Sequence, residues 1–302
     1  MTTTRNLLEI GDLADNEIAA LFERASAYME RPPDRSLDGR ICANLFFEQS
    51  TRTQVSFQAA QMRLGAHVVN LSPAQLSLAT KGESLEDTAV TLRAIGVELL
   101  VARHPLAGAV ADLASAFAGS VINAGDGTHA HPTQGLLDAF TLTREFGSLR
   151  GRRIAFVGDI RHSRVAHSSL EVLARLGAEL LCVGPEELLA EGDLTAEAAI
   201  ERDLDRVLPS LDAIVMLRIQ RERFAAMPLE NAAYIEGYQL TQARLAALRP
   251  EAVIMHPGPY NRGVEIVDAV TSEPRWRYRE QVRNGVYIRM ALLHSLVHGF
   301  SC

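Results

Sequence analysis

The stretch FEQSTRTQ, residues 47–54, concentrates hydrogen-bond donors at one point of the chain. Ser50, Thr51 and Thr53 carry hydroxyls, and Arg52 adds a guanidinium whose planar fork matches phosphate oxygens. An apolar run precedes these residues and a helical pattern follows them, so they are predicted to lie where a strand passes into a helix. The amino end of a helix offers N–H groups and partial positive charge to an anion. The stretch therefore predicts a phosphate-binding site.

An ordinary helix cap beside a surface arginine is the alternative explanation. Hydroxyl residues are common at N-caps, so the pattern ST-x-T is weak by itself. The stretch also lacks the glycines and the GK[ST] ending of a nucleotide-binding P-loop. Arg52 between the hydroxyls, with Glu48 before them, favours the anion site.

Other polar side chains occupy similar positions, at the predicted end of a strand or just before the next helix. They are Arg103, His131, Gln134, Arg164, Arg218 and Gln220. A further strand end leads into a turn rich in proline and glycine, within residues 252–265. One such arginine would carry no weight in a chain with 29 of them. Four arginines, counting Arg52, together with a histidine and two glutamines, predict a polyanionic substrate.

Three other patterns predict less. The sequence VGD at 157–159 is typical of dinucleotide-binding turns, but no GxGxxG accompanies it. His129 and His131 are spaced like metal ligands, yet only Asp126 is placed to complete a ligand set. No GxSxG motif is present, and no cysteine lies at a plausible catalytic turn. We therefore expect neither a metal ion nor an organic cofactor.

Composition and charge narrow the class of protein. The 302 residues carry a formal net charge of −7, which argues weakly against nucleic acid or an anionic membrane as a partner. No apolar run reaches the length of a membrane span, and acidic residues interrupt the N-terminus where a signal peptide would be apolar. The cysteines (Cys42, Cys182 and Cys302) form no CxxC pair. We expect a globular cytoplasmic protein without a disulfide framework or a zinc site.

The chain contains a single lysine, Lys81, against 29 arginines. Chance is one explanation, and a need for a compact ammonium in place of a planar fork is the other. Lys81 lies in SPAQLSLATKGES, residues 72–84, which has little periodicity and is predicted to be a loop. The pattern alone leaves both explanations open.

The elements that must position these residues alternate between strand and helix. Residues 41–125 give predicted strands separated by helices, and a second alternating series runs over residues 153–258. A long predicted helix at 135–147 lies between the two series. Within the second series the stretch near 195–208 is predicted to be helical, and an amphipathic helix at 278–299 closes the chain.

This alternation predicts an α/β fold with two doubly wound parallel-sheet domains of similar size joined by helices. We place the first domain at residues 1–134, with a C-terminal helix at 285–302 packing back on it. The second domain is placed at residues 135–284. The cleft between two such domains is the default place for a ligand.

Six of these segments occur in the order and spacing found in one enzyme family. They are FFEQSTRT, SLATKGES, VARHP, HPTQ, MLRIQRER and MHPGPYNRGVE. Over essentially its whole length the chain resembles the transcarbamoylases, of which S-T-R-T is typical. HPTQ, MLR-x-Q and HPGP-x-NRGVE are similar to the aspartate branch, whereas the ornithine branch typically has HPCQ, an SMG-type loop and HCLP. The resemblance implies transfer of a carbamoyl group from carbamoyl phosphate to L-aspartate, early in pyrimidine biosynthesis.

The resemblance also implies which residues would hold carbamoyl phosphate. They are Ser50, Thr51, Arg52, Thr53, Arg103, His131 and Gln134. Among them Arg103, His131 and the Thr51 hydroxyl would contact the carbonyl oxygen, and Gln134 would lie near the amide nitrogen. The catalytic set would be Arg52, Thr53, Lys81, Arg103, His131 and Gln134. Glu48 would form a structural ion pair near these arginines.

The acceptor and the neighbouring subunit involve a further set of residues. By resemblance, those that would bind the two carboxylates of aspartate are Arg164, Arg218 and Gln220. Backbone carbonyls of the turn would accept hydrogen bonds from the amino groups, and that turn is formed by Pro257, Gly258 and Pro259. Ser77 and Lys81 would reach the active site of the adjacent subunit in a homotrimer. The only lysine thus falls on the family's mobile-loop lysine, which favours the functional explanation over chance.

The chain departs from the family pattern at two positions, and some alternatives stay open. The turn reads HPGP where some members have HPLP, and Thr80 precedes Lys81 where some relatives carry a second lysine. Ornithine is a rival acceptor, although two arginines favour a dicarboxylate because they would repel ornithine's distal ammonium. A non-catalytic subunit and a nucleotide-binding oxidoreductase domain are the other rivals. The sequence does not decide between a trimer alone, one with regulatory chains, and one docked to a dihydroorotase-type partner.

Overall fold

A computed structural model of the chain describes residues 5–31, 33–72, 82–189, 198–220 and 231–300. The chain divides into two compact units, Met1–Leu137 with Val282–Cys302, and Asp138–Gln281. Each unit contains one sheet in which the strands run parallel. The predicted α/β class with two doubly wound sheets is therefore confirmed. In the described residues no helix combines the length and the apolar character needed to cross a membrane.

The first unit has a four-stranded sheet. Its strands are β1 (Ile41–Phe46), β2 (His67–Leu71), β3 (Val97–His104) and β4 (Ser120–Asp126). Its helices are α1 (Asp15–Glu30), α2 (Thr51–Arg63), α3 (Leu85–Ile95), α4 (Ala109–Ala116) and the start of α5 (Pro132–Phe146). The strands lie in the order β2-β1-β3-β4. Every residue of β4 is buried, which is the burial expected of a parallel strand covered on both faces.

The second unit has a five-stranded sheet. Its strands are β5 (Arg153–Val157), β6 (Glu179–Val183), β7 (Ala198–Glu201), β8 (Ala213–Met216) and β9 (Val253–Met255). Its helices are α6 (Arg164–Arg175), α7 (Leu204–Val207), α8 (Asn231–Tyr238), α9 (Gln242–Ala247) and the start of α10 (Tyr278–His298). Short 3-10 helices in the described chain are Ile10–Asp12, Glu186–Leu188, Leu208–Ser210 and Asp268–Ser272. The strand order is β7-β6-β5-β8-β9.

Three features differ from what the sequence predicts. The predicted helix near 195–208 is wrong over Ala198–Glu201, which pairs with β6 as strand β7, and only Leu204–Val207 of the described stretch is α-helical. Alanine favours helices, and pairing at the sheet edge overrides that local preference. Helix α5 begins at Pro132, so Gln134 lies in its first turn and not before the helix. Proline suits the first helical position because it has no N–H to leave unpaired. The helix Asn231–Tyr238 has no counterpart among the predicted elements.

In both sheets the chain first adds strands towards one edge and then returns to the middle to add strands towards the other edge. The point where this happens is where a ligand can bind. In the first sheet the chain passes from β1 to β2 on one side and from β3 to β4 on the other. In the second sheet it passes from β5 through β6 to β7 on one side, and from β8 to β9 on the other. Open α/β sheets bind ligands beyond the carboxyl ends of the strands at such a switch point. The relevant strand pairs are thus β1 with β3, and β5 with β8.

Candidate active site

The predicted phosphate-binding stretch lies between β1 and α2, at the switch point of the first sheet. Ser50 is the N-cap residue of α2, and its side chain makes no capping hydrogen bond. An ordinary cap serine would accept from an N–H in the first helical turn, so the capping explanation does not account for it. Thr51 is exposed, Arg52 is half-buried and Thr53 is buried. Hydroxyls, a guanidinium and the first amides of α2 thus share one helix terminus, which suits an anion.

Arg103 is held near the end of β3 by two contacts. Its Nη2 donates to Glu48 Oε1 at 3.0 Å, and its Nη1 donates to the Ala124 carbonyl at 3.2 Å. The Glu48 contact confirms the implied ion pair. Arg103 is paired in register with Phe46, the last residue of β1, so it lies beside the phosphate-binding stretch. A guanidinium oriented in advance is what stabilisation of a developing negative charge requires.

The loop after β4 delivers His131 to the same edge, and Asp126 shapes that loop. Asp126 Oδ1 accepts from the Ala130 N–H at 3.2 Å, and Oδ2 accepts from the Gly108 N–H at 2.8 Å. Burial opposes ionisation of Asp126, but hydrogen bonds from Asn123 and Gly108 hold its pKa below the ordinary value. The carboxylate therefore stays ionised at neutral pH and fixes the loop.

Gly127 lets this loop pass close to the segment that follows β3. Its φ is +48°, and a Cβ at this position would lie 2.5 Å from the Ala107 nitrogen. Its N–H donates to the His104 carbonyl at 3.0 Å. A side chain would push the loop outward, so the placement of His131 depends on glycine here.

A buried arginine that the sequence patterns did not single out links helices α2 and α5 of the first unit. His131 and Gln134 are buried at the start of α5. Arg289, which is 3% exposed, donates from Nη1 to Ser56 Oγ of α2 at 2.8 Å. Its Nη2 donates to Thr133 Oγ1 of α5 at 3.4 Å. No local pattern distinguishes Arg289 from the other arginines, because its partners lie far away along the chain.

In the second unit, Asp159 ties together the two loops that carry predicted carboxylate-binding residues. Its side chain is fully buried at the end of the VGD sequence. Asp159 Oδ2 accepts from the Gln220 N–H at 3.3 Å, and Oδ1 accepts from the His162 N–H at 3.2 Å. Gln220 Nε2 donates in turn to the His162 carbonyl at 2.9 Å. VGD thus has a structural role, since its carboxylate joins the segments that follow β5 and β8.

The predicted arginines of the second unit lie at the ends of neighbouring strands. Arg164 is the first residue of α6 and is 5% exposed, and it follows the turn after β5. Arg218 lies two residues beyond β8 and is half-buried. Because β5 and β8 are adjacent, both guanidiniums belong to the switch point of this sheet. Two cationic forks and the Gln220 amide suit a ligand with two carboxylates.

A glycine turn follows β9, the outer neighbour of β8. Gly258 has a φ of +68° and is joined to Pro259 by a cis peptide bond. Its N–H donates to His256 Nδ1 at 2.8 Å. Positive φ favours glycine, so the reading HPGP fits the backbone that is observed. The turn keeps the Pro257 and Gly258 carbonyls as candidate acceptors for an amine.

Two sequence predictions of this site cannot be placed. Ser77 and Lys81 lie outside the described residues, so their role stays a prediction.

Over residues 5–31, 33–72, 82–189, 198–220 and 231–300, no group of three or more His, Cys, Asp or Glu side chains is arranged to hold a metal ion. His129, one of the paired histidines, instead contacts Asp126 with 3.1 Å between its Nδ1 and Oδ2.

The two units therefore offer complementary chemistry. The first presents hydroxyls, helix amides and guanidiniums, which suit a phosphate and a polarised carbonyl oxygen. The second presents two arginines, an amide and backbone carbonyls, which suit a dicarboxylate that carries an amine. These groups bind and polarise, and none of them is arranged as a nucleophile with an adjacent base.

Comparison with known families gives matches along almost the whole chain. Residues 5–144 match the family model described as aspartate/ornithine carbamoyltransferase, carbamoyl-P binding domain. Residues 150–296 match the model described as aspartate/ornithine carbamoyltransferase, Asp/Orn binding domain. The chain is 49% identical over 302 residues to the aspartate carbamoyltransferase catalytic subunit of Acidothermus cellulolyticus, covering 98% of this chain and 93% of that one. It is also 49% identical to the Salinispora tropica protein of the same name, covering 98% of each chain.

Solved structures give the same result at the level of the fold. An aspartate transcarbamoylase from Trypanosoma cruzi in complex with carbamoyl phosphate superposes with a TM-score of 0.89 at 34% identity. The match covers 97% of this chain and 96% of that chain. The catalytic subunit of M. jannaschii aspartate transcarbamoylase superposes with a TM-score of 0.85 at 33% identity, over 97% of this chain and 98% of that one.

Proposed function

The chain belongs to the aspartate/ornithine carbamoyltransferase family, and from this premise we propose that it carbamoylates L-aspartate. The enzyme transfers the carbamoyl group of carbamoyl phosphate to the aspartate amine. The products are N-carbamoyl-L-aspartate and phosphate. This reaction is an early step of pyrimidine biosynthesis. The observation that carries the choice of acceptor is the pair Arg164 and Arg218 at one switch point, together with Gln220. The Trypanosoma cruzi relative forms complexes with carbamoyl phosphate and with aspartate, which supports both substrates.

Carbamoyl phosphate is held by the first unit. The start of α2 takes the phosphate through four consecutive residues, Ser50, Thr51, Arg52 and Thr53. Arg103, His131 and the Thr51 hydroxyl contact the carbonyl oxygen, and Gln134 lies near the carbamoyl nitrogen. The fixed Arg103–Glu48 pair and the Asp126-shaped loop support these assignments, since both hold donors in place before substrate binds.

Aspartate is held by the second unit. The residues that take its carboxylates are Arg164, Arg218 and Gln220. The turn formed by Pro257, Gly258 and Pro259 supplies backbone carbonyls to the amino groups. The hydrogen bonds that join Asp159, Gln220 and the turn before α6 support this assignment, because they preset the acceptor site.

The reaction needs positioning and charge stabilisation more than proton chemistry by side chains. The aspartate amine attacks the carbamoyl carbon, and negative charge grows on the carbonyl oxygen. Arg103 and His131 stabilise that charge as preorganised donors. The C–O bond to phosphate then breaks, and the departing phosphate takes the proton that the amine loses. His131 acts as a hydrogen-bond donor and not as a general base.

The acceptor can be tested directly with purified protein. We expect carbamoylated product and phosphate release when carbamoyl phosphate is mixed with aspartate, and neither above background when ornithine replaces it. The two arginines bind the two carboxylates of aspartate and repel the distal ammonium of ornithine. Equal rates with both amines would overturn the choice of acceptor. No product with either amine, in a sample whose circular dichroism shows a folded protein, would overturn the activity itself.

We also propose that the enzyme is a homotrimer whose active sites are shared between subunits. The segment carrying Ser77 and Lys81 ends just before α3, which begins at Leu85. Large apolar side chains are exposed on α2 and α3, at Val55, Met62, Val90 and Ile95. Exposed apolar groups on these two helices support a contact with a second copy of this chain. Lys81 of one subunit then completes the phosphate site of its neighbour.

Hybrid trimers provide the test of shared sites. We expect Arg52→Ala and Lys81→Ala proteins to be nearly inactive alone, because each lacks one cation at every site. A shared site is intact when the subunit that supplies Arg52 carries the Lys81 substitution and the subunit that supplies Lys81 carries the Arg52 substitution. After equal random mixing this holds at roughly a quarter of the sites, so about that share of wild-type activity should return. Mixing Arg52→Ala with Arg103→Ala is the matched control and should restore nothing. Hybrids no more active than that control would show that each site is built from one chain.

A cytoplasmic location also belongs to this proposal. Cys42 and Cys182 are buried free thiols. Burial raises the pKa of each thiol to about 12, so both stay protonated and unreactive. Reduced structural thiols of this kind are typical of a reducing compartment.

A further inference from the structure

Two buried side chains of the second unit contact the backbone of the turn that contains Gly258. His256 and Glu265 stand at the two ends of the segment HPGPYNRGVE, and both side chains are fully buried. The His256 ring packs edge-on against Tyr260 at 5.7 Å between centroids and lies 6.4 Å from the Trp276 ring. The aromatic neighbours restrict how the imidazole can rotate.

The imidazole has a defined protonation pattern. Its Nδ1 accepts from the Gly258 N–H at 2.8 Å, so Nδ1 carries no proton. The ring proton therefore belongs on Nε2, which lies 3.3 Å from Glu265 Oε1. A second proton on the ring would place an N–H against the Gly258 N–H and remove this bond. The neutral tautomer is thus coupled to the conformation of the turn.

Glu265 orients the ring and also closes the far end of the turn. Its Oε1 accepts from the Asn261 N–H at 2.5 Å as well as facing His256 Nε2. Its other oxygen, Oε2, is buried and has no hydrogen bond within the described residues. Oε1 therefore bonds the backbone at Asn261 and approaches the ring nitrogen to 3.3 Å, a contact whose geometry is not that of a hydrogen bond. The backbone N–H of His256 donates to Gln281 Oε1 at 3.0 Å, which fixes the start of the turn.

We propose that His256 and Glu265 are positioning residues that aim the Pro257 and Gly258 carbonyls at the substrate amino groups. This inference rests on the proposed function, because the amines are those of aspartate and carbamoyl phosphate. The Gly258 N–H and the carbonyl of Pro257 belong to the same planar peptide unit. Holding that N–H against Nδ1 therefore fixes the direction of the Pro257 carbonyl. Neither side chain touches substrate, since both are closed off from solvent.

Two amide substitutions separate the two contacts of the His256 ring, with the Gly258 N–H and with Glu265. In His256→Asn the side-chain oxygen falls near the position of Nδ1 and can still accept from Gly258. In His256→Gln the longer amide reaches toward Glu265, and the acceptor for Gly258 is lost. We expect kcat/KM for aspartate to stay within about threefold of wild type in His256→Asn, and to fall about ten- to hundredfold in His256→Gln. Both variants leave a comparable void, so their melting temperatures serve as the control for packing.

Inhibitors without an amino group provide the readout that a purely structural role would not produce. Succinate has both carboxylates of aspartate but no amine, and inorganic phosphate has no carbamoyl nitrogen. We expect the inhibition constants of both to be unchanged in His256→Gln while kcat/KM for aspartate falls. Equal losses in the two histidine variants, or a parallel loss of succinate and phosphate inhibition, would overturn the positioning role.

Glu265 variants keep the inference testable if a histidine variant does not fold. Glu265→Gln retains an oxygen for both N–H donors and is expected to stay near wild type. Glu265→Ala is expected to reproduce the His256→Gln pattern, and wild-type kinetics in Glu265→Ala would refute the inference. Failure of the proposed function is distinguishable, because the wild-type enzyme would then form no product with aspartate at all.

Discussion

Replacing Arg103 with alanine is expected to lower kcat by a factor on the order of 10²–10³, the usual effect of removing one preorganised donor to a developing oxyanion. The charge on the carbonyl oxygen appears only as the aspartate amine attacks, so the loss should fall mainly on kcat. Arg103→Lys should recover only part of the rate, because a point charge cannot keep both contacts of the fork, to Glu48 and to Ala124. Steady-state kinetics with both substrates varied would measure these effects.

The ion pair between Arg40 and Glu98 offers a matched control for this experiment. It joins the amino ends of β1 and β3, whereas Arg103 and Glu48 join the carboxyl ends of the same two strands. Arg40→Ala removes an arginine–glutamate pair from the same sheet but leaves the switch point intact, so kcat should remain near wild type. Glu48 is 33% exposed, so water can solvate it after the loss of Arg103, and both variants should melt within a few degrees of wild type. A kcat for Arg103→Ala equal to that of Arg40→Ala would remove Arg103 from the mechanism.

The sequence predicts those candidate site residues that lie directly after a strand, because the end of an apolar run can be recognised in the sequence. Arg52 and Arg218 follow apolar runs, and parallel strands bring all their carboxyl ends to one edge. The strand order adds what spacing could not: it identifies β1 with β3, and β5 with β8, as the pairs at the switch points. Those pairs explain why the arginines of each unit lie at neighbouring strand ends.

The supporting contacts could not be predicted because their partners are distant along the chain. Arg289 contacts Ser56 and Thr133 within the first unit, although both partners lie more than 150 residues earlier in the chain. His256 and Glu265 look like ordinary members of a proline-rich turn until the ring nitrogens are assigned. Strand β7 was missed for a related reason, since its pairing with β6, and not its alanine-rich composition, decides its conformation.

Replacing Arg218 with alanine should have the second large effect, and that effect should be selective for aspartate. A charged hydrogen bond between a guanidinium and a carboxylate is about twice as strong as a neutral one, and the planar fork can make two of them. We expect kcat/KM for aspartate to fall about 10²–10³-fold, while the apparent affinity for carbamoyl phosphate changes by less than about threefold. Kinetics with each substrate varied at saturation of the other would separate the two.

Succinate and a second arginine variant complete this test. The proposed binding of a carboxylate by Arg218 means that Arg218→Ala should weaken succinate inhibition as strongly as it weakens aspartate use, which is the opposite of the pattern expected for His256→Gln. Arg152 is the matched control, since it pairs with Asp212 at 3.2 Å where β5 and β8 begin, at the other edge of the same sheet. Arg152→Ala should leave both aspartate and succinate binding near wild type. Equal losses for aspartate and carbamoyl phosphate in Arg218→Ala would mean that this arginine supports the fold of the site and does not bind the acceptor.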